Sequence, residues 1–197
     1  MTEFDESRWR ERLQENRAEK DDFFADDPRS PLSPSAREGF DGLDYFPPDP
    51  SYRVQATATR HDEPEPTELT VENGPPERFL RTVTFTFQLP SEDGTVDASL
   101  SGYSREGGEG LLVPFRDKTT GQATYRGGRY MDLRPEGELA DGDTVVVDFN
   151  LAYTPFCAFD DAFACPLPPE ENWLSTTVPA GERDPPVDED LTAASDA

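Results

Sequence analysis

Seven residues constrain the fold more than any others: Val83-Thr84-Phe85-Thr86-Phe87-Gln88-Leu89 alternate four apolar side chains with three polar ones. Successive side chains on a strand point to opposite faces, so the pattern predicts an antiparallel strand with one buried and one wet face. Comparable segments recur at roughly 10-residue spacing without helical periodicity between them. Tyr52–Arg60, Leu69–Val71, Val96–Gly102, Leu111–Arg116, Arg129–Leu133, Val145–Asn150 and Trp173–Val178 bring the expected strands to eight. Glu92-Asp93-Gly94 and Asp141-Gly142-Asp143 are the strongest turn signals between them. The expectation is a mainly β fold, an antiparallel barrel or sandwich of about eight strands with an N-terminal helix.

The segments around this β domain have different compositions. Residues 1–27 are rich in Glu, Arg, Gln and Ala and predict an acidic helix from Glu3 to Phe24. Its apolar stripe, Trp9, Leu13, Phe23 and Phe24, is thin, so the helix is expected at the edge of the domain. Residues 28–50 form a Pro-rich connector in which Ser33-Pro34 reads as the start of a short helix reaching Phe40. Residues 51–183 form the β domain, and residues 184–197 an acidic tail expected to be disordered.

Charge narrows the environment. Asp and Glu total 42 against 18 Lys and Arg, a net charge of −24, and Lys20 and Lys118 are the lysines. In dilute buffer such self-repulsion destabilises a compact state. At about 1 M salt the Debye length falls to about 3 Å and most of the repulsion disappears. The acidic residues are dispersed rather than gathered in one stripe, which argues for a halophilic protein over a nucleic-acid mimic. Phosphates are repelled, so nucleic acid is excluded as a partner. No apolar run approaches membrane-spanning length, and the acidic N-terminus lacks a signal-peptide core. The expected location is the cytoplasm.

Chemistry-bearing residues gather between Asp117 and Glu182. On the strand Val145–Asn150, Val145, Val147 and Phe149 share one face, leaving Asp148 and Asn150 together on the other. They are read either as a ligand-orienting pair or as partners of a covering loop. Arg129, beside Tyr125 and Tyr130, is read either as a clamp for an anionic group or as a buried partner of Asp117 or Asp148. Asp117, Asp148 and Glu182 would need a shared proton or a cation to converge, and coincidence among 42 acidic residues is the favoured reading. No metal site is expected. Cys157 and Cys165, with seven residues between them, suit packing first, a disulfide second and zinc last. The single histidine, His61, lies far from these motifs in sequence, which removes His-assisted nucleophilic catalysis.

Several runs in the same region, Phe115-Arg116-Asp117-Lys118-Thr119-Thr120-Gly121, Gly127-Gly128-Arg129-Tyr130, Asp148-Phe149-Asn150-Leu151-Ala152-Tyr153, Cys165-Pro166-Leu167-Pro168-Pro169 and Ala180-Gly181-Glu182, form a linked set. With Tyr45-Phe46-Pro47-Pro48-Asp49-Pro50 they resemble the signature of the family known as domain of unknown function 1684. The resemblance covers about Phe40 to Glu182 and implies a short member whose N-terminal segment is the acidic helix. It implies a place for a site, and no reaction. Where the family's last motif usually ends in Lys, this chain has Arg183.

The function expected from these residues is binding of a small polar metabolite, or acid–base catalysis on one, at one end of the β domain. Asp148 and Glu182 would be the acid–base pair, and Tyr125, Arg129, Asn150, Tyr153 and Asn172 the ligand contacts. No cofactor is expected. The alternative is a non-catalytic scaffold or interaction module in which the same motifs lock a long loop onto the barrel.

Overall fold

The computed structural model describes residues 4–72, 74–105, 108, 110–135 and 137–185. Helix α1 runs Glu6–Asp26, with Asp5 capping it by accepting the Arg8 N–H at 3.0 Å. Helix α2 runs Pro34–Glu38; the Ser33 side chain accepts the Ala36 N–H at 3.2 Å and proline occupies the first turn. Six strands follow: β1 Arg53–Leu69, β2 Glu77–Ser91, β3 Gly94–Ser104, β4 Leu111–Phe115, β5 Arg129–Leu133 and β6 Thr144–Asp148. They form one antiparallel sheet in the order β5-β4-β3-β2-β1-β6.

The alternation of residues 83–89 is realised in β2, where Val83, Phe85, Phe87 and Leu89 are buried in the core. Across the hairpin Ser91 pairs with Gly94, leaving Glu92 and Asp93 as a two-residue turn. Gly94 has φ +121°, a conformation that favours glycine.

Six strands, not eight, are present among the described residues. The expected Tyr52–Arg60 segment runs on to Leu69 in the single long β1, with a register shift between Arg60 and Glu65. Of the expected Leu69–Val71 strand, Val71 makes only an isolated bridge to Pro166. Pro64 and Pro66 fall inside this strand. Partner β6 pairs with Arg53–Thr57, and the turn after β5 takes the Ala58 and Arg60 N–H groups. Past Arg60 no strand flanks β1 opposite β2 among the described residues, so proline is tolerated there. The expected strand Trp173–Val178 contributes one bridge, Trp173 to Arg116. Its end is taken by side chains instead: Val178 N–H donates to Asp117 at 2.7 Å, and Val178 O accepts from Arg129 at 2.8 Å.

Nor does the sheet close into a barrel. Edge strands β5 and β6 are not paired with each other; a single antiparallel bridge, Tyr130 to Tyr153, ties β5 to the chain beyond β6. Closure fails where β6 turns away. The Asp148 carboxylate accepts the Asn150 N–H at 3.0 Å and starts a 3-10 turn, Phe149–Leu151, at the point where pairing with β5 would continue. The result is a half-barrel with an open seam between β5 and β6.

Helix α1 packs through the thin apolar stripe read from its sequence. Leu13 and Phe24 are buried, and Phe24 packs edge-on against Phe156 and Phe159 at centroid distances of 5.8 and 4.9 Å. Burying such a ring contributes about 2–3 kcal/mol. Polar contacts complete the docking: Trp9 Nε1 donates to Asp148 at 2.7 Å, Arg10 to Pro48 O at 2.9 Å, and Leu43 N–H to Asp21 at 2.9 Å. The expected tail, 184–197, lies outside the described residues beyond Pro185.

Candidate functional site at the open seam

A cavity of about 330 Å³ occupies the seam. Met131, Asp132 and Leu133 of β5 form one wall, and Val146 and Asp148 of β6 with residues 150–153 form the opposite wall. Asn16, Arg17 and Lys20 of α1, together with Tyr45 and Glu182, complete it. The stripe that α1 presents, Trp9, Leu13, Arg17, Lys20 and Phe24, has helical spacing, apolar at both ends and cationic in the middle.

Glu182 is delivered by a backbone device. Gly181 has φ +81°, and a Cβ there would lie 2.5 Å from Ala152 O and 2.7 Å from Phe149 O, so no other residue fits. Tyr45 and Glu182 form an antiparallel bridge, and Glu182 N–H donates to Ala152 O at 2.9 Å. The Glu182 carboxylate accepts the Thr154 N–H at 2.8 Å and the Lys20 ammonium on its other oxygen. Burial pushes the Glu182 carboxyl above its ordinary range, against the opposing pull of Lys20, Thr154 and Arg129. The same desolvation pushes the Tyr45 and Tyr153 phenols well upward, so both remain protonated donors.

Arg17 and Tyr45 stand apart from this satisfied network. The Arg17 guanidinium carbon lies 4.4 Å from the Tyr45 ring centroid. Arg17 Nε and Nη2 and Tyr45 Oη are buried without a hydrogen-bond partner among the described residues. Buried polar groups are rarely left so, because each orphan costs about 1–3 kcal/mol. Lys20 lies 4.8 Å from the Tyr153 ring centroid, and Tyr153 Oη donates to Asp132 at 3.1 Å.

Of the residues expected from sequence, Asp148, Asn150, Tyr153 and Glu182 border this one cavity. Two of the four are also fasteners. Asp148 accepts from Trp9 and Asn150, with Arg53 at 3.7 Å. Asn150 exchanges two hydrogen bonds with the Asp49 backbone, at 2.9 and 2.8 Å, as a strand neighbour would.

Tyr125, Arg129 and Asn172 lie elsewhere. Asn172 repeats the Asn150 device, accepting Ser101 N–H at 2.7 Å and donating to Ser101 O at 2.9 Å and Pro114 O at 2.7 Å. It fills the gap where β3 and β4 share a single register pair, Tyr103 with Leu112. Arg129 is 1% exposed and donates to the carbonyls of Val178, Ala180 and Glu182 and, at 3.4 Å, to Asp117. Asp117 in turn accepts from Thr119 and Val178 N–H. Tyr125 donates to Glu72 at 3.2 Å, on the side where Cys157 and Cys165 lie. The two cysteines are free thiols close enough to set each other's proton affinity. Cys157 acts as the donor, which lowers Cys165 to about 7 and raises Cys157. Among the described residues, no three His, Cys, Asp or Glu side chains are grouped to hold a metal ion.

Arg17, Lys20 and Tyr45 were missed by sequence reasoning. The available signal was two cations three residues apart on the same helical stripe as Leu13 and Phe24, in a chain where acidic residues outnumber basic ones 42 to 18.

Fold and site together define an open antiparallel half-barrel whose seam is roofed by an N-terminal helix. Residues 38–183 match the family described as protein of unknown function, DUF1684, and the chain belongs to that family. Helix α1, which supplies Arg17 and Lys20, precedes the matched residues. The solution NMR structure of an uncharacterized protein from Haloarcula marismortui is similar, with 51% sequence identity and a TM-score of 0.72 over 90% of this chain and 95% of that one. No curated protein matches the chain. No helix is long and apolar enough to cross a membrane among the described residues.

Proposed function

We propose that the chain binds a small anionic polar metabolite in the seam cavity, and that it does so in a salt-rich cytoplasm. The observation that carries the first part is a cavity of about 330 Å³ bordered by the cations Arg17 and Lys20 and the phenols Tyr45 and Tyr153. Small-molecule pockets of about 300–1,000 Å³ place a few convergent polar groups in a mostly apolar wall, and the seam has that composition. The net charge of −24, dispersed along the chain, supports the second part, as does the 51% identical relative from Haloarcula marismortui. Acid–base chemistry on the ligand would fall to Glu182, the buried carboxylate of the cavity with a raised proton affinity.

A scaffold role is the second reading, favoured by Asn150, Asn172 and Arg129, whose side chains are engaged with backbone groups of neighbouring segments. A thermal-shift titration separates the two. In molar KCl, potassium salts of small organic anions should raise the melting temperature. A ligand at 100 times its Kd stabilises by about 2.7 kcal/mol. Dialysis into dilute buffer should abolish the cooperative transition. A flat response to all anions sinks the binding reading, and a cooperative fold in dilute buffer sinks the salt-rich one.

A further inference from the structure

We infer that Cys157 and Cys165 form a dithiol redox site, in which Cys165 attacks a small organic disulfide and Cys157 resolves the product into an internal disulfide. Neither borders the seam cavity, so the site stands whether or not an anion binds there. Chain geometry brings the two thiols together. Cys157 sits in the 3-10 turn Phe156–Ala158, closed by the Ala158 N–H donating to Pro155 O at 3.0 Å. The loop that follows folds back on itself. Phe163 N–H donates to Asp160 O at 3.1 Å, and the Phe156 and Phe163 rings pack edge to face with centroids 5.4 Å apart. Cys165 is fixed through its neighbours: Pro166 bridges to Val71 and accepts the Tyr130 hydroxyl, and Leu167 N–H donates to Thr70 O at 2.6 Å. With both ends anchored, the Cys157 thiol donates to the Cys165 sulfur.

Access separates the two roles. Cys157 is buried, whereas Cys165 is partly exposed and borders a second cavity of about 340 Å³ walled by Phe79, Tyr103, Tyr130 and Tyr153. The Cys157 thiol holds Cys165 toward the thiolate, against burial and the charges of Glu77 and Glu72. In thiol–disulfide exchange an accessible thiolate is the attacking group, and a buried thiol beside it is the resolving one. The volume and the aromatic wall beside Cys165 suit an organic reactant, R–S–S–R. The Cys165 thiolate attacks one of its sulfurs, a mixed disulfide forms, and the departing RS− takes up the proton that Cys165 released. Cys157 then attacks the Cys165 sulfur, and its own proton passes to the second RS−. The two protein thiols lose two electrons and two protons, and the small disulfide gains them and leaves as two thiols.

The test is incubation of the reduced full chain in molar KCl with hydroxyethyl disulfide, followed by intact mass and peptide mapping after an acid quench. Wild type should become lighter by two hydrogens, carry a link between Cys157 and Cys165, and return to its starting mass with dithiothreitol. Cys157→Ser should stop at the mixed disulfide, with one mercaptoethanol unit on Cys165. Cys165→Ser should react about tenfold more slowly than wild type, because the thiol it retains is buried. No reaction in wild type, or mercaptoethanol adducts without an internal link, overturns the pairing. Cys165→Ser reacting as fast as wild type overturns the choice of attacking group. Should a serine variant fail to fold, iodoacetamide labelling of the reduced wild type decides the same point. Cys165 should be alkylated about tenfold faster than Cys157, and equal rates or the reverse order overturn the assignment.

Discussion

Arg129, fully buried, and Arg17, half-buried, each lie over an aromatic ring, Phe115 for one and Tyr45 for the other, yet they do opposite things. Arg129 donates to three backbone carbonyls and to Asp117, with only Nε left over. Arg17 borders the seam cavity, and its Nε and Nη2 carry no hydrogen bond among the described residues. A donor set spent on the chain's own backbone makes a fastener; one held without a partner at a cavity wall makes a receptor. The difference also maps onto origin. Arg129 lies within the matched family residues 38–183, and Arg17 on the helix that precedes them.

The sharpest way to break this comparison is Arg129→Met. Removing the guanidinium strands the Asp117 carboxylate and the carbonyls of Val178, Ala180 and Glu182 in a site that is 1% exposed at Arg129. Truncating one member of a buried pair costs about 3–5 kcal/mol. Chemical denaturation in molar KCl should show that loss, while Arg17→Lys should leave the denaturation midpoint nearly unchanged. If the Arg17 variant is the less stable one, the assignment of fastener and receptor is reversed.

Asn172→Ala is the next largest effect. It deletes three hydrogen bonds in a fully buried position and orphans Ser101 N–H, Ser101 O and Pro114 O. A loss of about 2–3 kcal/mol is expected, because each orphaned group costs about 1 kcal/mol or more and some will be rescued by water. Anion affinity at the seam should not change. An affinity loss without a stability loss would restore Asn172 as a ligand contact.

These outcomes bear on what was legible in the sequence. The period-2 pattern of Val83–Leu89 is a local fact set by strand geometry, and the structure realises it. The expected strand Val145–Asn150 stops at Asp148, and Asn150 comes beside Asp148 through the 3-10 turn that Asp148 caps, not through strand alternation. Strand number was less legible because β1 passes through Pro64 and Pro66, residues that read as punctuation unless one knows that its far flank lacks a neighbour. The seam was illegible for a similar reason: closure of a sheet depends on whether β6 and β5 meet, which no window of sequence contains. Motif density between Asp117 and Glu182 led to Asp148, Asn150, Tyr153 and Glu182, which border the seam cavity, and also to Tyr125, Arg129 and Asn172, which do not. Much of that density marks fasteners, since long irregular segments carry backbone groups that must be satisfied. The cations of the proposed site sit on α1, where Arg17 and Lys20 interrupt an apolar stripe and so make it look thin.

Glu182 belongs to both sides of the comparison, and Glu182→Gln is the smallest and most informative change. Its oxygens bind Thr154 N–H and Lys20, like a fastener, yet it also borders the cavity. Burial raises its folded-state pKa above the ordinary value of 4.5, with Lys20 opposing. A raised folded pKa means that the folded state holds the proton more tightly than the unfolded chain does. The resulting stabilisation is fully present below the unfolded value and is lost as pH rises through the folded value. The protonated acid resembles the amide, so wild type and variant should match in stability near pH 4 and below. As pH rises from about 4.5 toward neutrality, the wild type should fall behind the glutamine variant, an effect read as a difference between two denaturation series in the same salt. If the wild type instead gains on the variant as pH rises, the Lys20 ion pair outweighs burial, Glu182 is a charged fastener, and acid–base chemistry at the seam loses its carboxyl group.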